Sequence, residues 1–567
     1  MTWRSRNIYL IGLPGSGKSS IGRELVRLIG KSGYEFVDLD EAIEKRSGKR
    51  IREIFETDGE PTFREAETRE LLELSNRSFS PRPVVLATGG GTVVRDVNRA
   101  IMRGSGIVVW IDVNVRQAAK RVLQEMLEGN VRPLLRASSP EDLTAKMRNL
   151  LTAREQYYEQ ATLHFVTKGS RGEERSPAEL AEELLKALEE MSRHVRLRPR
   201  FHSIIAKSGL GDYPVHIGNG IGTTELSAAI KDSGASQVAI ITDRTVAKLN
   251  SARLTKLAQE LAPQTRIHQI VLDPGEANKN FDTLTEVLNS LFKLELPRKG
   301  SLVVTIGGGV VSDLGGFAAS IYLRGLPLIH VPTTLLAQVD AALGGKTGID
   351  YFGSKNSLGS FYAPRMVIVD PLYLRTLDKR QLHSGLAEIF KYALIGSRPM
   401  WEEISKSVRR LIRGLDSAYE NIIRLSIEQK LRYVERDEFE RHHGGRELLN
   451  FGHTFGHALE AATQFNTFLH GEAVLLGMRS AAWLSHELGH INEDDWREIE
   501  IVLGRIPIAA TTGVSGSAIF DALGKDKKRS PKGIRLVLLR GIGEAMSVDK
   551  VPETSIREAI EFMLSLI

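Results

Sequence analysis

The apolar run Ile8-Tyr9-Leu10-Ile11 passes directly into "GLPGSGKS" at residues 12 to 19 and then into the helical stretch "SIGRELVRLI". A strand, a glycine-rich turn and a helix in immediate succession confine this part of the chain to a parallel α/β sheet with a phosphate-binding loop. Gly12, Gly15 and Gly17 let successive backbone amides face an anion beside Ser16. Lys18 can neutralise β and γ oxygens, Ser19 can ligate magnesium, and Ser20 opens the helix. A chance glycine-rich turn is the competing reading, and the strand-loop-helix setting disfavours it. The loop binds ATP but does not say which group accepts the phosphate.

The chain has 567 residues, more than one hydrophobic core usually organises, so two or three domains are expected. Lys and Arg are scattered, and a net charge of +6 without a basic arm points to small anionic substrates instead of nucleic acid. Cysteine is absent, which excludes disulfides, thiolate zinc sites and cysteine nucleophiles. Any metal must therefore use histidine and carboxylate. No apolar stretch reaches the ~18 residues of a membrane helix, and the N-terminus has no signal-peptide core. A cytoplasmic enzyme is expected.

Short apolar strands alternate with helices through "IYLI", "EFVDL", "PVVLAT" and "GIVVWID". The first domain is expected to span 1–191 and to end in the helix "SPAELAEELLKALEEM", with Ser176 as cap and Pro177 in the first turn. A basic linker, 192–200, follows. A second α/β domain, 201–376, carries "PVHIG", "QVAIITD", "SLVVTIGGG", "LPLIHVPTT" and "MVIVD". From 377 to 567 the chain reads as helical.

In the first half, Asp38 and Asp40 end the strand "EFV". One carboxylate there can serve magnesium while the other positions or deprotonates an acceptor hydroxyl; simple capping of the next helix is an equal alternative. Arg64 after a "DGE" turn, the glycines of "ATGGGTV", Arg132 and Arg154 add cations and open backbone suited to an anionic, hydroxylated acceptor. In this order the phosphate loop, "D-x-D", "F-R-x-x-E", "GGG" and "R-P-L" resemble shikimate kinase over nearly all of residues 5 to 170. The resemblance implies that Asp40, Arg64, Gly90 and Arg154 hold shikimate, and that Ser19 and Asp38 serve Mg2+ with ATP. Lys18, Asp40 and Arg132 would be catalytic, Arg132 from a mobile lid closing over ATP. Arg121 is the candidate for the adenine side.

In the second half, "NFGHTFGHALE" sets His453 and His457 four apart, with His470 following in "FLHGEAV". Histidines at i and i+4 suit one metal ion, or one ligand and one catalytic base. Glu388 in "SGLAEIFKYALI" lies amid apolar helix, where an unpaired charge is costly, although a surface pair with Lys391 is the plainer explanation. "TIGGGVVSDLGGF" after the strand "LVVTI" can admit a dinucleotide to a helix N-terminus, without the usual G-x-G-x-x-G spacing.

These segments, with "PGE-x-x-K", "Y-x-RG", "PTTLLA-x-VD", "GGKTG" and "HGEAV", make residues 200 to 567 similar to 3-dehydroquinate synthase. The resemblance implies NAD held by Asp243, Glu276, Lys279, Gly308, Gly309, Asp313, Thr333, Thr334 and Thr376, with Lys346 and Lys355 also at the cofactor. It implies a divalent metal, zinc or cobalt, on Glu388, His453 and His470. Arg324, Asp340, Lys346, Lys355, Asn356, Lys391, Lys430, Arg446, Asn450, His457 and Lys528 would surround the substrate, with Lys346, Lys391, Lys430 and His457 catalytic. The implied fold is a P-loop kinase domain, then a Rossmann-like NAD domain, then a helical metal and substrate domain. The implied reaction takes 3-deoxy-D-arabino-heptulosonate 7-phosphate to 3-dehydroquinate and phosphate by transient oxidation, elimination, re-reduction and ring closure, recycling NAD. A homodimer through this half is also implied.

Three departures from the synthase pattern stand out: a longer "DEFERHHG" at 437 to 444, Ser312 in place of a glycine, and Asp350 in place of asparagine. Two rivals remain open: an NAD- and metal-dependent polyol dehydrogenase in the second half, or a non-catalytic nucleotide-binding module in either half. A released NADH would mark the first, and ligand binding without turnover the second.

Overall fold

The computed structural model describes all residues except 1–2, 31–32, 77–81, 128–134, 136–138, 168–174, 195–196, 198, 263, 353, 415–417, 441–444, 509–512 and 528–533. The chain divides into two compact units, Met1–Ser203 and Ile204–Ile567.

The first unit is built on five strands: β1 (Asn7–Ile11), β2 (Glu35–Asp38), β3 (Val84–Ala87), β4 (Gly106–Asp112) and β5 (Leu163–Val166). They lie in the order β2-β3-β1-β4-β5, every pairing parallel. Every residue of β1 and β3 is buried, because helices cover both faces of a parallel sheet and leave no solvated side for polar alternation. Ile8 and Leu10 face a core shared with Ile21, Leu25 and Leu184, while Tyr9 and Ile11 face Leu39, Phe63 and Leu71. The Pro177–His194 helix closes the unit, its Ser176 and Glu179 bonded to each other as a reciprocal cap.

In the second unit, β6 (His202–Ala206), β7 (Tyr213–Ile217), β8 (Gln237–Asp243), β9 (Arg266–Leu272), β10 (Ser301–Gly307), β11 (Leu328–Pro332) and β14 (Met366–Val369) form one sheet. Its order is β6-β7-β14-β11-β10-β8-β9, parallel from β7 through to β9. A separate antiparallel hairpin, β12 (Lys346–Tyr351) with β13 (Ser354–Phe361), packs on the Gly309–Ile321 helix. The sequence reading did not resolve this hairpin.

From Asp378 onward helices dominate, as expected, with one further hairpin of β15 (Arg535–Gly541) and β16 (Glu544–Asp549). Val215, Ile217, Val367 and Val369 share a continuous core with Leu386, Phe390, Phe451, Phe455 and Leu476 from the helices. The helical layer is therefore seated directly on one face of the sheet, near the strands that carry the loops described next. Among the described residues no helix is long and apolar enough to cross a membrane.

Candidate active sites

In the first unit the phosphate loop leaves the C-terminal end of central strand β1. Gly15 and Gly17 take φ values of 71° and 86°, and a Cβ on Gly15 would lie 2.5 Å from the Ala118 carbonyl oxygen. Gly17 caps the Lys18–Ile29 helix with no side chain, so its first amides remain open to an anion. Lys18 is buried, and its Nζ donates to Gly12 O at 3.0 Å, Leu13 O at 2.8 Å and Ser16 Oγ at 3.2 Å. The ammonium thus spans the loop it would serve. Arg121 reaches the Gly15 carbonyl at 3.4 Å, and Ser20 is exposed on the first helical turn.

Ser19 Oγ donates to Asp38 Oδ2 at 2.6 Å, while Asp38 Oδ1 accepts the Asp40 amide at 3.0 Å and caps the Leu39–Ser47 helix. Capping and ligand service therefore coexist in one carboxylate. A hydroxyl beside a carboxylate is the hard-oxygen donor set that magnesium takes, so these residues fit that ion.

The glycine turn after β3 gathers the remaining candidates. Ideal Cβ positions place Gly89 3.1 Å from Asp40 Oδ1, Gly90 2.9 Å from Pro14 of the phosphate loop, and Gly91 2.8 Å from the Arg64 guanidinium. Gly90 O accepts from Arg154 at 2.8 Å and Tyr158 at 2.9 Å. Arg64 is steadied by Glu60 at 3.0 Å and by buried Glu67 at 3.2 Å, and Glu67 in turn accepts from Thr92 at 2.7 Å. Burial pushes the Glu67 carboxyl up against the opposing pull of Thr92 and Arg64. Arg132 lies outside the described residues.

In the second unit, Asp243 ends β8, Glu276 and Lys279 follow β9, Gly308 and Gly309 follow β10, Thr333 and Thr334 follow β11, and Thr376 follows β14. They therefore line the carboxyl edge of one sheet, where open α/β sheets bind ligands. The Gly309–Ile321 helix starts at Gly308 with no side-chain cap, and a Cβ on Gly308 would sit 3.0 Å from Thr334 Cγ2. A bare helix N-terminus with this clearance fits a dinucleotide pyrophosphate. Lys279 Nζ bonds Asp313 at 2.5 Å and also Asn356 Oδ1, so three expected ligand-binding side chains hold one another. Asp243 caps its helix through Val246 N at 2.9 Å, and Thr376 bonds the Tyr373 carbonyl at 3.1 Å.

The metal candidates converge from three helices. Glu388 sits mid-way along the Lys379–Gly396 helix with no exposed side-chain area; His453 opens the His453–Ala462 helix, and His470 opens the His470–Glu487 helix. Gly471 donates to Ser384 Oγ at 3.0 Å, and a Cβ at 471 would collide with the Ser384 carbonyl, one turn before Glu388. A Cβ at Gly477 would likewise collide with the Gly452 carbonyl beside His453. Glycine at these positions lets the helices approach closely.

Glu388 Oε1 consequently lies 3.4 Å from His453 Nε2 and 3.8 Å from His470 Nε2. Ligands about 2.0–2.1 Å from a tetrahedral zinc lie about 3.3 Å apart, so this spacing fits an ion with little movement. Neither Glu388 oxygen makes a well-directed hydrogen bond, although Lys391 contacts Oε2 as an ion pair. Burial raises the Glu388 carboxyl, but Lys391 and His453 outweigh it and hold it at about 2. Atoms of His453, His457 and His470 all lie within 4.8 Å of one another, and His457 opens to solvent.

Around this centre, Asp340 accepts from Lys430 at 2.7 Å and from Tyr392 at 2.5 Å. Burial would raise Asp340, but Lys430 and Lys391 keep it well below the usual carboxylate range. Burial also lowers Lys430, to about 8. Lys346 contacts Glu440, Arg446 donates to Glu438 O at 2.6 Å, and Lys355 binds Glu460 at 3.0 Å. Asn450 is exposed. Arg324 stands apart: it precedes β11, at the end of the sheet opposite Thr333, on an exposed turn and with φ 65°. Lys528 and residues 441–444 lie outside the described residues.

Sequence reasoning overlooked Tyr392, fully buried and bonded to Asp340, and Glu460, which faces both Lys355 and His470. Each is a polar group in an otherwise apolar helical segment, and that was the available signal.

The family models for 3-dehydroquinate synthase match residues 269–384 (N-terminal) and 385–529 (C-terminal), and that for shikimate kinase matches residues 14–189. The chain is 43% identical over 324 residues to a 3-dehydroquinate synthase of Dichelobacter nodosus, covering 57% of this chain and 86% of that protein. A 3-dehydroquinate synthase of Methylococcus capsulatus is 39% identical over 352 residues, covering 62% and 96%.

The chain belongs to the 3-dehydroquinate synthase family.

Its first half is a shikimate kinase domain, so the protein is a bifunctional enzyme of the shikimate pathway acting on small-molecule substrates. The synthase part also resembles a solved 2-epi-5-epi-valiolone synthase from Streptomyces hygroscopicus subsp. jinggangensis, which holds NAD+ and Zn2+ (28% identity, TM-score 0.58, 64% of this chain and 99% of that one). A 2-deoxy-scyllo-inosose synthase complexed with carbaglucose-6-phosphate, NAD+ and Co2+ is 26% identical with TM-score 0.57, over 63% and 99%.

The Asp340 network makes a stability prediction for the synthase unit. Asp340→Asn removes the carboxylate facing two buried lysines, and breaking such a pair costs about 3 kcal/mol once partial solvent access is allowed for. Tyr392→Phe removes one hydrogen bond, worth about 1 kcal/mol. Urea denaturation followed by fluorescence should rank them in that order.

Proposed function

We propose that Glu388, His453 and His470 hold a divalent metal, zinc or cobalt, beside an NAD bound along the carboxyl edge of the sheet. The meeting of Glu388 Oε1 with both histidine Nε2 atoms carries this reading. When bound, the metal supplies Lewis acidity and NAD accepts and returns a hydride. Lys346 and Arg446 hold the phosphate end of the heptulosonate phosphate, with Asn356 and Lys528 completing that pocket. Lys391, Lys430 and Asp340 orient its hydroxyls, and His457, open to solvent, moves a proton at the reacting centre.

The test follows phosphate, dehydroquinate and NADH together in metal-loaded full-length protein with catalytic NAD. Phosphate and dehydroquinate should form in equal amounts without NADH accumulating, and Glu388→Gln should lower kcat by about 100-fold or more. Accumulating NADH without phosphate release would instead identify a polyol dehydrogenase.

For the first half, ATP lies over the Gly12–Ser20 loop with Mg2+ on Ser19 and Asp38. Asp40, Arg64, Gly90 and Arg154 hold shikimate, its carboxylate paired by the two arginines. Asp40 receives the acceptor proton, and Lys18 and Arg132 stabilise charge on the moving phosphoryl group. Shikimate-dependent ADP formation should fall about 100-fold or more in Lys18→Met, with phosphate release by the synthase half unchanged. Loss of both activities together would count against separate sites.

The synthase half also forms a homodimer. Phe292, Ile321 and Leu323 are 59%, 43% and 37% exposed beside Arg324, and Phe292 packs on Tyr322 with ring centroids 4.8 Å apart. An exposed apolar patch of this kind marks an interaction face. Light scattering should give twice 62.8 kDa, and Leu323→Asp should shift the mass to the monomer. A monomeric wild-type protein would refute it.

A further inference from the structure

The two imidazoles that face Glu388 are each fixed from behind, by different means. His453 Nδ1 lies 3.2 Å from the carbonyl oxygen of Phe451, a backbone acceptor two residues away. His470 Nδ1 lies 3.5 Å from Oε2 of Glu460, while its Nε2 lies 3.8 Å from Glu388 Oε1. The His470 ring therefore spans two carboxylates. An ionised carboxylate only accepts hydrogen bonds, and of the two only Glu460 lies within hydrogen-bond distance, so Nδ1 directs its proton at Glu460 and Nε2 is the nitrogen whose lone pair is available to an ion beside Glu388.

Glu460 is suited to this service by its own surroundings. It is 1% exposed, and a buried carboxylate is tolerated only with a compensating charge. Lys355 supplies that charge at 3.0 Å on Oε1, and its ammonium packs 4.8 Å from the Phe465 ring centroid. The second oxygen is left to face His470. Glu460 also sits on the same helix as His453, so its position relative to that histidine is set by one rigid element.

We infer that Glu460 is a positioning residue that fixes the tautomer and ring orientation of His470 and thereby sets the affinity of the Glu388–His453–His470 site for its metal. This rests on the metal reading above. Such outer partners of ligating histidines are worth about 10- to 100-fold in metal affinity.

The test uses full-length protein stripped of metal. Zinc affinity is measured by competition with a chromophoric chelator, and the cobalt form is followed by its visible absorption. Glu460→Leu should weaken zinc by about 10- to 100-fold and alter the cobalt spectrum, with helical content unchanged by circular dichroism. Glu460→Gln, which keeps an acceptor oxygen, should recover much of the loss. Unchanged affinity and spectrum in Glu460→Leu, or equal losses in both variants, would overturn the role.

Selective 15N labelling of histidine in the metal-free wild type gives an answer even where the Leu variant does not fold. A proton on Nδ1 of His470 supports the inference, and a His470 protonated at Nε2 alone refutes it. Wild-type protein that binds neither zinc nor cobalt would overturn the metal reading, and this inference with it; a wild type that binds tightly alongside an unaffected Leu variant would overturn this inference alone.

Discussion

The carboxylate of Glu388 has no exposed area, and it stays charged there because Lys391 and His453 are held against it. Desolvation alone would drive it to the neutral form; Lys391 and His453 reverse that and hold it at about 2. This compensation needs close approach, and the approach needs small residues. At Gly471 and Gly477 any side chain would strike a neighbouring helix backbone. Glu388 is therefore a point where packing and charge constrain each other: the apolar core brings the helices together, and the charges brought with them must be matched.

Both units prepare for anions while keeping their buried cations satisfied. Lys18 is held by its own loop carbonyls, and Lys279 by Asp313 and Asn356. Buried donors left without partners are expensive, so each such lysine has a protein acceptor to leave when a ligand arrives. The units differ in what else they gather there. The kinase loop offers backbone amides at a helix start, whereas the synthase unit brings together long side chains linked through Asp340, Lys430 and Tyr392.

Much of this was legible in the sequence. Runs such as "IYLI" and "SLVVTIG" read as parallel strands because both faces of each sheet are covered, and the residues of both runs are buried. Glycine turns marked the carboxyl ends of the strands, and burial of Glu388 followed from its apolar neighbours. The β12–β13 hairpin was not legible, because "KTGIDYFGSKNSLGSF" is short, polar and glycine-bearing, and its pairing depends on the Gly309–Ile321 helix beneath it. Arg324 was grouped with the other cations by its place in an ordered pattern, yet it lies before β11 and they do not share its edge. Chain order orders motifs; it does not say which end of a strand they occupy.

Asp350 shows why a departure from a family pattern need not disturb a site. Its Oδ1 accepts the Asn356 amide at 2.8 Å, and its own amide donates to Lys279 O at 2.8 Å. Asn356 has φ 52°, a left-handed conformation that must be held by its surroundings. Only acceptor capacity is asked of the side chain at 350, and a carboxylate has at least as much of it as the carbonyl of an amide. The added negative charge also lies near Lys279, where it favours the ammonium. The substitution thus keeps Asn356 in place, Asn356 keeps its oxygen on Lys279, and the cation stays directed at Asp313 on the glycine-started helix.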